Sequence, residues 1–321
     1  MSPTAVPLPL FPSLAEATAL VEELREKATA SGLKLWSLAG KTLIPVVQGG
    51  MGVGISAGGL AGTVARMGAV GTISSVDLRR LHPDLMEKTR PLEKSRDVAH
   101  AKGVIDAANN EALRREIARA REISQGLGLI AVNVMKAISA YAQNVRTALE
   151  AGIDAVVVGA GLPLDLPELA KDHPKAALIP ILSDARGVQL IVKKWEKKGR
   201  LPDAIVIEHP RLAGGHLGAA KIMDLNDPRF DFENVLPAVR EFLRSAGYER
   251  HIPLIAAGGV SSHEDIQRLQ ELGADAVQMG TAFAVTQESD AAPEFKQVLA
   301  NARPEDVVEF ISVAGLPARG V

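Results

Sequence analysis

The chain has 321 residues, a net charge of −2, no cysteine and a hydrophobic fraction of 47%. This composition is typical of a globular protein, and it excludes disulfides, thiolate zinc sites, iron–sulfur clusters and a cysteine nucleophile. Basic and acidic residues balance and aromatic residues make up only 3%, which argues against a nucleic-acid-binding or membrane-surface protein. The length fits either two domains or one α/β barrel.

The N-terminal region does not read as a signal peptide. Its first twenty residues lack a positively charged start, and prolines interrupt their apolar part. The uncharged stretch from Thr42 to Ala65 is long enough to cross a bilayer, but its seven glycines and Pro45 favour a strand, a glycine loop and a buried helix. We therefore expect a cytoplasmic protein.

The predicted elements alternate between helices and strands. A leading helix is predicted over 13–31, where Ser13 and Glu16 form a capping box. Eight nearly continuous apolar runs predict strands buried on both faces, at 44–48, 69–74, 129–135, 155–160, 176–182, 204–209, 252–258 and 276–283. Further helices are predicted at about 59–67, 111–124, 139–150, 165–171, 186–198, 236–246, 263–272 and 293–300. Eight such units predict an α/β fold, a (β/α)8 TIM barrel with an N-terminal helix, forming one domain over 1–321.

Two connections are longer than ordinary loops, and we interpret them as insertions. Residues 76–110 separate the second strand from its helix, and 211–235 follow the sixth strand. Insertions on the strand-exit side commonly form lids or substrate walls. The stretch from Arg79 to Lys102 is rich in charge, which predicts a solvated face, with a patch that steers an anionic ligand as the alternative.

A first glycine motif, QGGMGVG over 48–54, follows the first strand. Glycines let a flat ring approach the backbone closely and expose N–H groups to it. The same segment contains a variant of the dinucleotide fingerprint, Gly52-x-Gly54-x-x-Ala57, with Asp77 about 20 residues further on. A Rossmann fold is therefore an alternative, which the eight-unit count disfavours.

A second motif, LAGGHLG over 212–218, follows the sixth strand and contains His216. It places an imidazole on a tight turn at the barrel mouth, where the ring can take or give a proton near neutral pH; a purely structural turn is the alternative. A metal site built from Glu208, His209 and His216 is conceivable. Because these residues lie in a Pro/Gly loop and not on one helix face, we expect no metal.

A third pattern pairs AAGGV at 256–260 with QMGTA at 278–282. The loops after the last two strands of many barrels bind phosphate through glycine N–H groups, although ordinary strand-end turns would also use glycine.

Asn133, inside an apolar strand, needs hydrogen-bond partners, from either a neighbouring loop or a ligand. Ser183 and Asp184 leave the same two interpretations open, with the structural one favoured.

Together these motifs resemble the nitronate monooxygenase family, formerly called 2-nitropropane dioxygenases. The resemblance runs from about Leu43 to Pro317, and QGGMG, AGGHLG and the ordered pair AAGGV and QMGTAF are its most specific parts. It implies an FMN-dependent barrel enzyme that oxidises nitronates or nitroalkanes with dioxygen to carbonyl compounds and nitrite. It implies a small-molecule substrate and leaves the oligomeric state open, a homodimer included.

The resemblance also implies roles for individual residues. His216 matches the catalytic histidine, acting either as the base on the carbon next to the nitro group or as an electrostatic partner for the bound anion. The positions that match flavin and phosphate contacts are Gly49, Gly50, Met51, Asn133, Gly214, Gly215, Gly258, Gly259, Gln278, Gly280 and Thr281. His209 is included in the expected cofactor site as a departure in the flavin wall.

Departures from the family pattern leave the substrate open. Many relatives have glutamine where this chain has His209 and glutamate where it has Leu212, and the segment 217–250 is longer than expected. One alternative is an FMN-dependent NAD(P)H:quinone or enoyl-thioester reductase, since related enzymes of the same fold catalyse those reactions. The other is a non-enzymatic barrel that binds a phosphorylated ligand.

Overall fold

The computed structural model of the protein describes residues 13–216, 222–311 and 317–321, and gives only the backbone of His216 and Ile222. In chain order its strands are β1 (Trp36–Leu38), β2 (Lys41–Leu43), β3 (Val46–Gln48), β4 (Val70–Ser74), β5 (Leu129–Met135), β6 (Ala155–Gly159), β7 (Ala177–Leu182), β8 (Ile205–Glu208), β9 (Gly215–His216), β10 (Leu254–Ala257), β11 (Ala276–Met279), β12 (Val308–Ile311) and β13 (Pro317–Gly320). Its helices are α1 (Leu14–Ala30), α2 (Gly58–Arg66), α3 (Pro83–Thr89), α4 (Val98–Ser124), α5 (Tyr141–Glu150), α6 (Leu166–Leu169), α7 (Ala185–Glu196), α8 (Phe232–Ser245), α9 (His263–Glu271), α10 (Thr281–Ala284) and α11 (Pro293–Asn301).

Eight of the strands close into a barrel. The order is β3-β4-β5-β6-β7-β8-β10-β11, with β11 pairing back onto β3, and every pair within the barrel is parallel. Helices follow the strands and cover the outside, as the alternation of apolar runs and helical patterns predicts. The predicted TIM barrel with an N-terminal helix is confirmed.

Side chains of each barrel strand alternate between an inner and an outer apolar layer. In β8, for example, Val206 belongs to the inner cluster while Ile205 and Ile207 belong to the outer one. The hairpin of β1 and β2 closes the bottom of the inner layer, where Trp36 and Leu43 pack among the inward-facing strand residues. Each such side chain contributes about 1.5–3 kcal/mol of burial free energy, so the barrel interior is a packed core below its mouth.

Three element predictions differ from the structure. The barrel's last strand ends at Met279, and residues 281–283, predicted to continue it, belong to the short helix α10. Helix α4 begins at Val98, well before the predicted residue 111, so part of the segment 76–110 is the first half of that helix. The β1–β2 hairpin was not predicted, although Ala39 and Gly40 have the positive φ angles of a tight hairpin turn.

A second, smaller sheet joins the chain's last strands to the predicted catalytic turn. Strand β13 pairs antiparallel with β12 on one side and with β9 on the other. Across the ranges that the structure covers, no helix is long and apolar enough to cross a membrane.

Candidate functional site

The predicted site residues lie where the barrel strands end, at one mouth of the barrel. The loop that begins with Gly49 leaves β3, Asn133 lies near the end of β5, and Gln278 lies on β11. His209 follows β8, Gly258 follows β10, and Gly280 follows β11. Because all eight strands are parallel, these ends meet at the same edge.

Two glycines and two carboxamides form a continuous bed across this mouth. A Cβ atom built on Gly50 would lie only 2.4 Å from Cβ of Asn133, and one built on Gly49 would lie 3.1 Å from Cγ of Gln278. The side-chain amides of Asn133 and Gln278 have no hydrogen-bond partner within the part of the chain that the structure describes, and both residues are half-buried. Partly buried amides without protein partners are suited to hydrogen-bonding a ligand.

Gln48 explains why the chain turns sharply into this bed. Its buried side chain donates to the carbonyl of Thr72 (3.1 Å) and accepts from the N–H of Thr72 (2.9 Å). The amide thereby takes the place of a backbone pair between β3 and β4, which releases the following residues from the sheet. Ser56 then fixes the loop, since its hydroxyl accepts from the N–H of Met51 (2.8 Å).

The glycine pair after β10 packs against the turn after β8. Gly258 and Gly259 have φ angles of +116° and +70°, a region that side chains other than glycine rarely adopt. A Cβ on Gly258 would lie 3.0 Å from the backbone nitrogen of Ala213, and one on Gly259 would lie 3.2 Å from Leu212. Glycine is therefore required both for the backbone angle and for the close approach of the two loops.

The ring of His209 faces away from the barrel interior. It packs edge-on against Phe232 of α8 at 5.3 Å between ring centroids, accepts at Nδ1 from the backbone N–H of Arg211 (3.2 Å), and places Nε2 3.4 Å from Asp231. Burial lowers its pKa, although Asp231 acts in the opposite direction. His209 therefore braces the turn 209–213 from the outside.

Gly215 and His216 form β9, whose backbone pairs with β13. His216 lies opposite Ala318, and Gly215 lies opposite Arg319. This pairing fixes the backbone of the predicted catalytic histidine. Its side chain and the following residues of the LAGGHLG motif, 217 and 218, lie outside the described part of the structure, whereas Gly214 leaves open space around its α-carbon.

Gly280 and Thr281 begin α10 beside the first glycine loop. A Cβ on Gly280 would lie at an ordinary 3.5 Å from Sδ of Met51, so the two loops touch. The backbone N–H groups of Gly258, Gly259, Gly280 and Thr281 have no acceptor in the described ranges. Free N–H groups on adjacent glycine turns are the donors that bind phosphate in many barrels.

The N-terminus of α2, the helix after the first glycine loop, is closed to an anion, unlike the corresponding helix of a dinucleotide-binding fold. Asp290 accepts from the N–H groups of Ala57 (2.9 Å) and Leu60 (3.0 Å), and Glu116 accepts from that of Gly58 (2.7 Å). The protein's own carboxylates therefore occupy the position that a pyrophosphate takes in a Rossmann fold. Together with the closed barrel, this shows that the Rossmann alternative is wrong.

The charged segment after β4 is partly buried. Arg79 is only 3% exposed, and its guanidinium binds Asp77 (2.9 Å), Glu93 (2.8 Å) and the hydroxyl of Thr89 (2.8 Å). The backbone N–H of Arg79 donates to Asn109 on α4 (3.1 Å). For Arg79 the solvated face and the steering patch are therefore wrong, because this residue ties the segment to α4. The other cations of the stretch are exposed, as a solvated face predicts: Arg80, Lys88, Arg90, Lys94, Arg96 and Lys102.

Comparison with known proteins decides the family. The family model described as nitronate monooxygenase matches residues 34–321. The chain belongs to this family. It is accordingly an oxidoreductase of the nitronate monooxygenase type.

Individual relatives are distant. A probable nitronate monooxygenase of Bacillus subtilis is 26% identical over 286 residues, which cover 86% of this chain and 76% of that protein. Matches to several staphylococcal relatives cover less than half of those proteins' length. Among solved structures, FabK from Thermotoga maritima has a TM-score of 0.61 at 24% identity, covering 86% of this chain and 70% of that one. A nitroalkane oxidase from Streptomyces ansochromogenes has a TM-score of 0.60 at 22% identity, covering 86% and 76%. These two structures share the fold.

Two further residues complete the description of this family member's mouth. Asp184 caps α7 by accepting from the N–H of Gly187 (2.7 Å), so its structural interpretation is correct. Glu208, the last residue of β8, was considered only as a metal ligand and left out of the predicted site. In the described ranges no group of three or more His, Asp or Glu residues could hold a metal ion. The run Ile205-Val206-Ile207 is apolar at every position, so the sequence carries no signal for the direction in which Glu208 faces.

Proposed function

We propose that the protein binds FMN at the barrel mouth and oxidises alkyl nitronates, or nitroalkanes, with dioxygen to carbonyl compounds and nitrite. The observation that carries the proposal is the bed of Gly49, Gly50, Asn133 and Gln278, where the two glycines pack so closely against the two carboxamide residues that neither position has room for a Cβ. When bound, FMN supplies the redox chemistry, by accepting electrons from the substrate and passing them to dioxygen.

The residues of the barrel mouth have separate roles in holding FMN. The carboxamides of Asn133 and Gln278 orient the ring system by hydrogen bonding, and the N–H groups of Gly258, Gly259, Gly280 and Thr281 hold the phosphate. Met51 closes the space between the two glycine loops. His209 keeps the turn 209–213 against the glycine pair, so its role toward FMN is positioning.

His216 takes the proton from the carbon next to the nitro group in this proposal. Its backbone is fixed by the pairing of β9 with β13, which supports a defined position at the mouth. A neutral imidazole near pH 7 is a suitable base, and the imidazolium formed would stabilise the nitronate anion.

The first test is the absorbance spectrum of the purified protein, with analysis of the supernatant after heat release. Flavin bands and free FMN are the expected result. A colourless protein that also fails to bind added FMN would contradict the cofactor and most of the site. Rapid anaerobic flavin bleaching by NADH or NADPH would instead favour the reductase alternative.

The base role of His216 has its own test. His216→Asn should lower turnover of a neutral nitroalkane by about a hundredfold or more, because a positioned general base contributes about 10²–10⁴. Turnover of the pre-formed nitronate should fall much less, since that substrate needs no deprotonation. Equal losses on both substrates would contradict proton abstraction by His216.

The single domain, the cytoplasmic location and the oligomeric state stay predictions.

A further inference from the structure

Glu208 is the last residue of β8 and points into the barrel mouth. Val206 belongs to the inner apolar layer and Ile207 to the outer one, so strand alternation directs Glu208 inward. The next residue confirms the phase, because the ring of His209 contacts Phe232 in the outer layer. The carboxyl group therefore lies on the same side as the glycine and carboxamide bed.

The neighbouring strands offer this carboxyl group no charge. Strand register places Ala257 of β10 directly beside Glu208, and Gln278 of β11 beside Ala257. On the other side, the pairing of Leu182 with Ile207 brings Ser183 to the level of Glu208. None of these neighbours is a cation, and within the described ranges Glu208 has neither an ion pair nor a hydrogen bond.

The charged residues on the surrounding loops are already engaged elsewhere. Asp184 caps α7, and Asp231 faces the outward ring of His209. Lys136, after β5, is bound to Asp165 at 2.7 Å, and the guanidinium of Arg211 bonds Asn226 at 3.3 Å. The side chain of His216 is outside the described residues.

The enclosure of this half-buried residue in the barrel mouth, without a compensating cation among the described residues, disfavours the carboxylate. It raises the pKa of Glu208 to about 7, from an ordinary value near 4.5. Both the acid and its carboxylate are therefore populated near neutral pH. The two forms act oppositely on a ligand, because the acid can donate a hydrogen bond whereas the carboxylate only accepts one and repels anions.

We propose that Glu208 is a specificity-determining residue which, as the carboxylic acid, donates a hydrogen bond to an oxyanion in the barrel mouth and, as the carboxylate, excludes it. The inference rests on the proposed function in that it takes the mouth as the ligand site. One proton is taken up onto a Glu208 carboxylate oxygen for each anion bound, and no other bond forms or breaks. Anionic nitronates are consequently favoured below neutral pH, and uncharged substrates above it.

Anion binding to the FMN-loaded protein tests this directly. Nitrate serves as an unreactive planar oxyanion, and its dissociation constant is measured from the change in flavin absorbance between about pH 5.5 and about pH 8.5. In the wild type the constant should rise about tenfold per pH unit above pH 7 through Glu208 alone. Glu208→Gln, which keeps the shape and a hydrogen-bond donor, should reduce this slope by one proton and leave any slope due to His216.

The matched control is Glu122→Gln, an exposed residue of α4. It should reproduce the wild-type slope. A Glu208→Gln variant with the same pH dependence as the wild type would overturn the proposal, as would nitrate affinity that is independent of pH in both proteins.

A second readout needs neither FMN nor activity. The infrared difference spectrum between wild type and Glu208→Gln isolates the carboxylic acid C=O band of this one residue. The band should disappear with a midpoint near pH 7. Disappearance below about pH 5 would overturn the inference, because Glu208 would then be an ordinary carboxylate. A protein without FMN would contradict the proposed function while leaving this titration intact, so the two failures are distinguishable.

Discussion

Two glycine-rich regions of the barrel mouth differ in whether their backbone N–H groups are already used. At the start of α2, Asp290 and Glu116 accept from three of these groups. At Gly280 and Thr281, no acceptor is present among the described residues. The sequence of the first region looks more like a nucleotide-binding motif, yet among the described residues only the second leaves its N–H groups without an acceptor. A glycine pattern is therefore a weak predictor of an anion site until the positions of nearby carboxylates are known.

We call the segment at Gly280 and Thr281 the open region and the start of α2 the closed region. Placing a carboxylate in the open region should abolish the difference between them, and we expect it to have the largest effect of the substitutions considered. Gly280→Asp is expected to weaken FMN binding by about a hundredfold or more, since like charges about 4 Å apart repel by about 4 kcal/mol near a protein surface. The measurement is a fluorescence titration with FMN. Gly280→Ala is the matched control and should bind nearly normally, because its Cβ meets Met51 at an ordinary 3.5 Å. Equal losses in both variants would assign the effect to shape and not to charge.

Glu208 extends the comparison, because it is a carboxyl group on the open side of the mouth and has no cation beside it among the described residues. Its pKa is raised from about 4.5 to about 7 by burial, so the folded protein binds more protons than the unfolded chain between these values. The free energy of unfolding of the wild type should therefore fall as the pH rises through this window. Glu208→Gln should remove this decrease, which amounts to about 3 kcal/mol above pH 7.5 and to nothing below pH 4. Urea unfolding of both proteins at several pH values measures this. A constant difference at all pH values would contradict it.

Opening the closed region should affect stability and not cofactor binding. Asp290→Ala leaves the N–H groups of Ala57 and Leu60 without their acceptor and removes one of the two carboxylates that pair with Arg119. We expect a loss of about 2 kcal/mol in the free energy of unfolding, with unchanged FMN affinity. Asp172→Ala, on the exposed surface, is the control. A large loss of FMN affinity with intact stability would instead place a ligand contact at α2.

The smallest effect is expected at His209, which lies behind the open region. His209→Gln restores the side chain that many relatives carry, and it should change FMN affinity by less than about threefold, because the ring faces Asp231 and the backbone of Arg211. The same fluorescence titration measures it. A loss above tenfold would show that the residue touches the cofactor.

The fold was predictable because all eight barrel strands are continuous apolar runs, which is what burial on both faces requires. The same continuity concealed details of the site. It does not reveal which residues face inward, so Glu208 was missed, and it does not separate the end of β11 from the short apolar helix that follows Gly280. The early start of α4 was hidden because its first half contains Gly103 and two consecutive asparagines, residues of low helix propensity, and has weak periodicity.

The carboxylates at α2 could not have been predicted from one sequence. Asp290 lies more than 200 residues from the backbone groups it binds, and Glu116 lies 58 residues from Gly58. Only the folded barrel brings them together. The position of the glycine clusters at the barrel mouth was predictable, because the residues that follow parallel barrel strands meet at the same end of the barrel.

The pairing of β13 with β9 has a practical consequence for handling the protein. Ala318 is aligned with His216, and Arg319 with Gly215. A tag or fusion attached close to β13 would pull on the strand that anchors this turn, so protein intended for kinetics should carry its tag elsewhere.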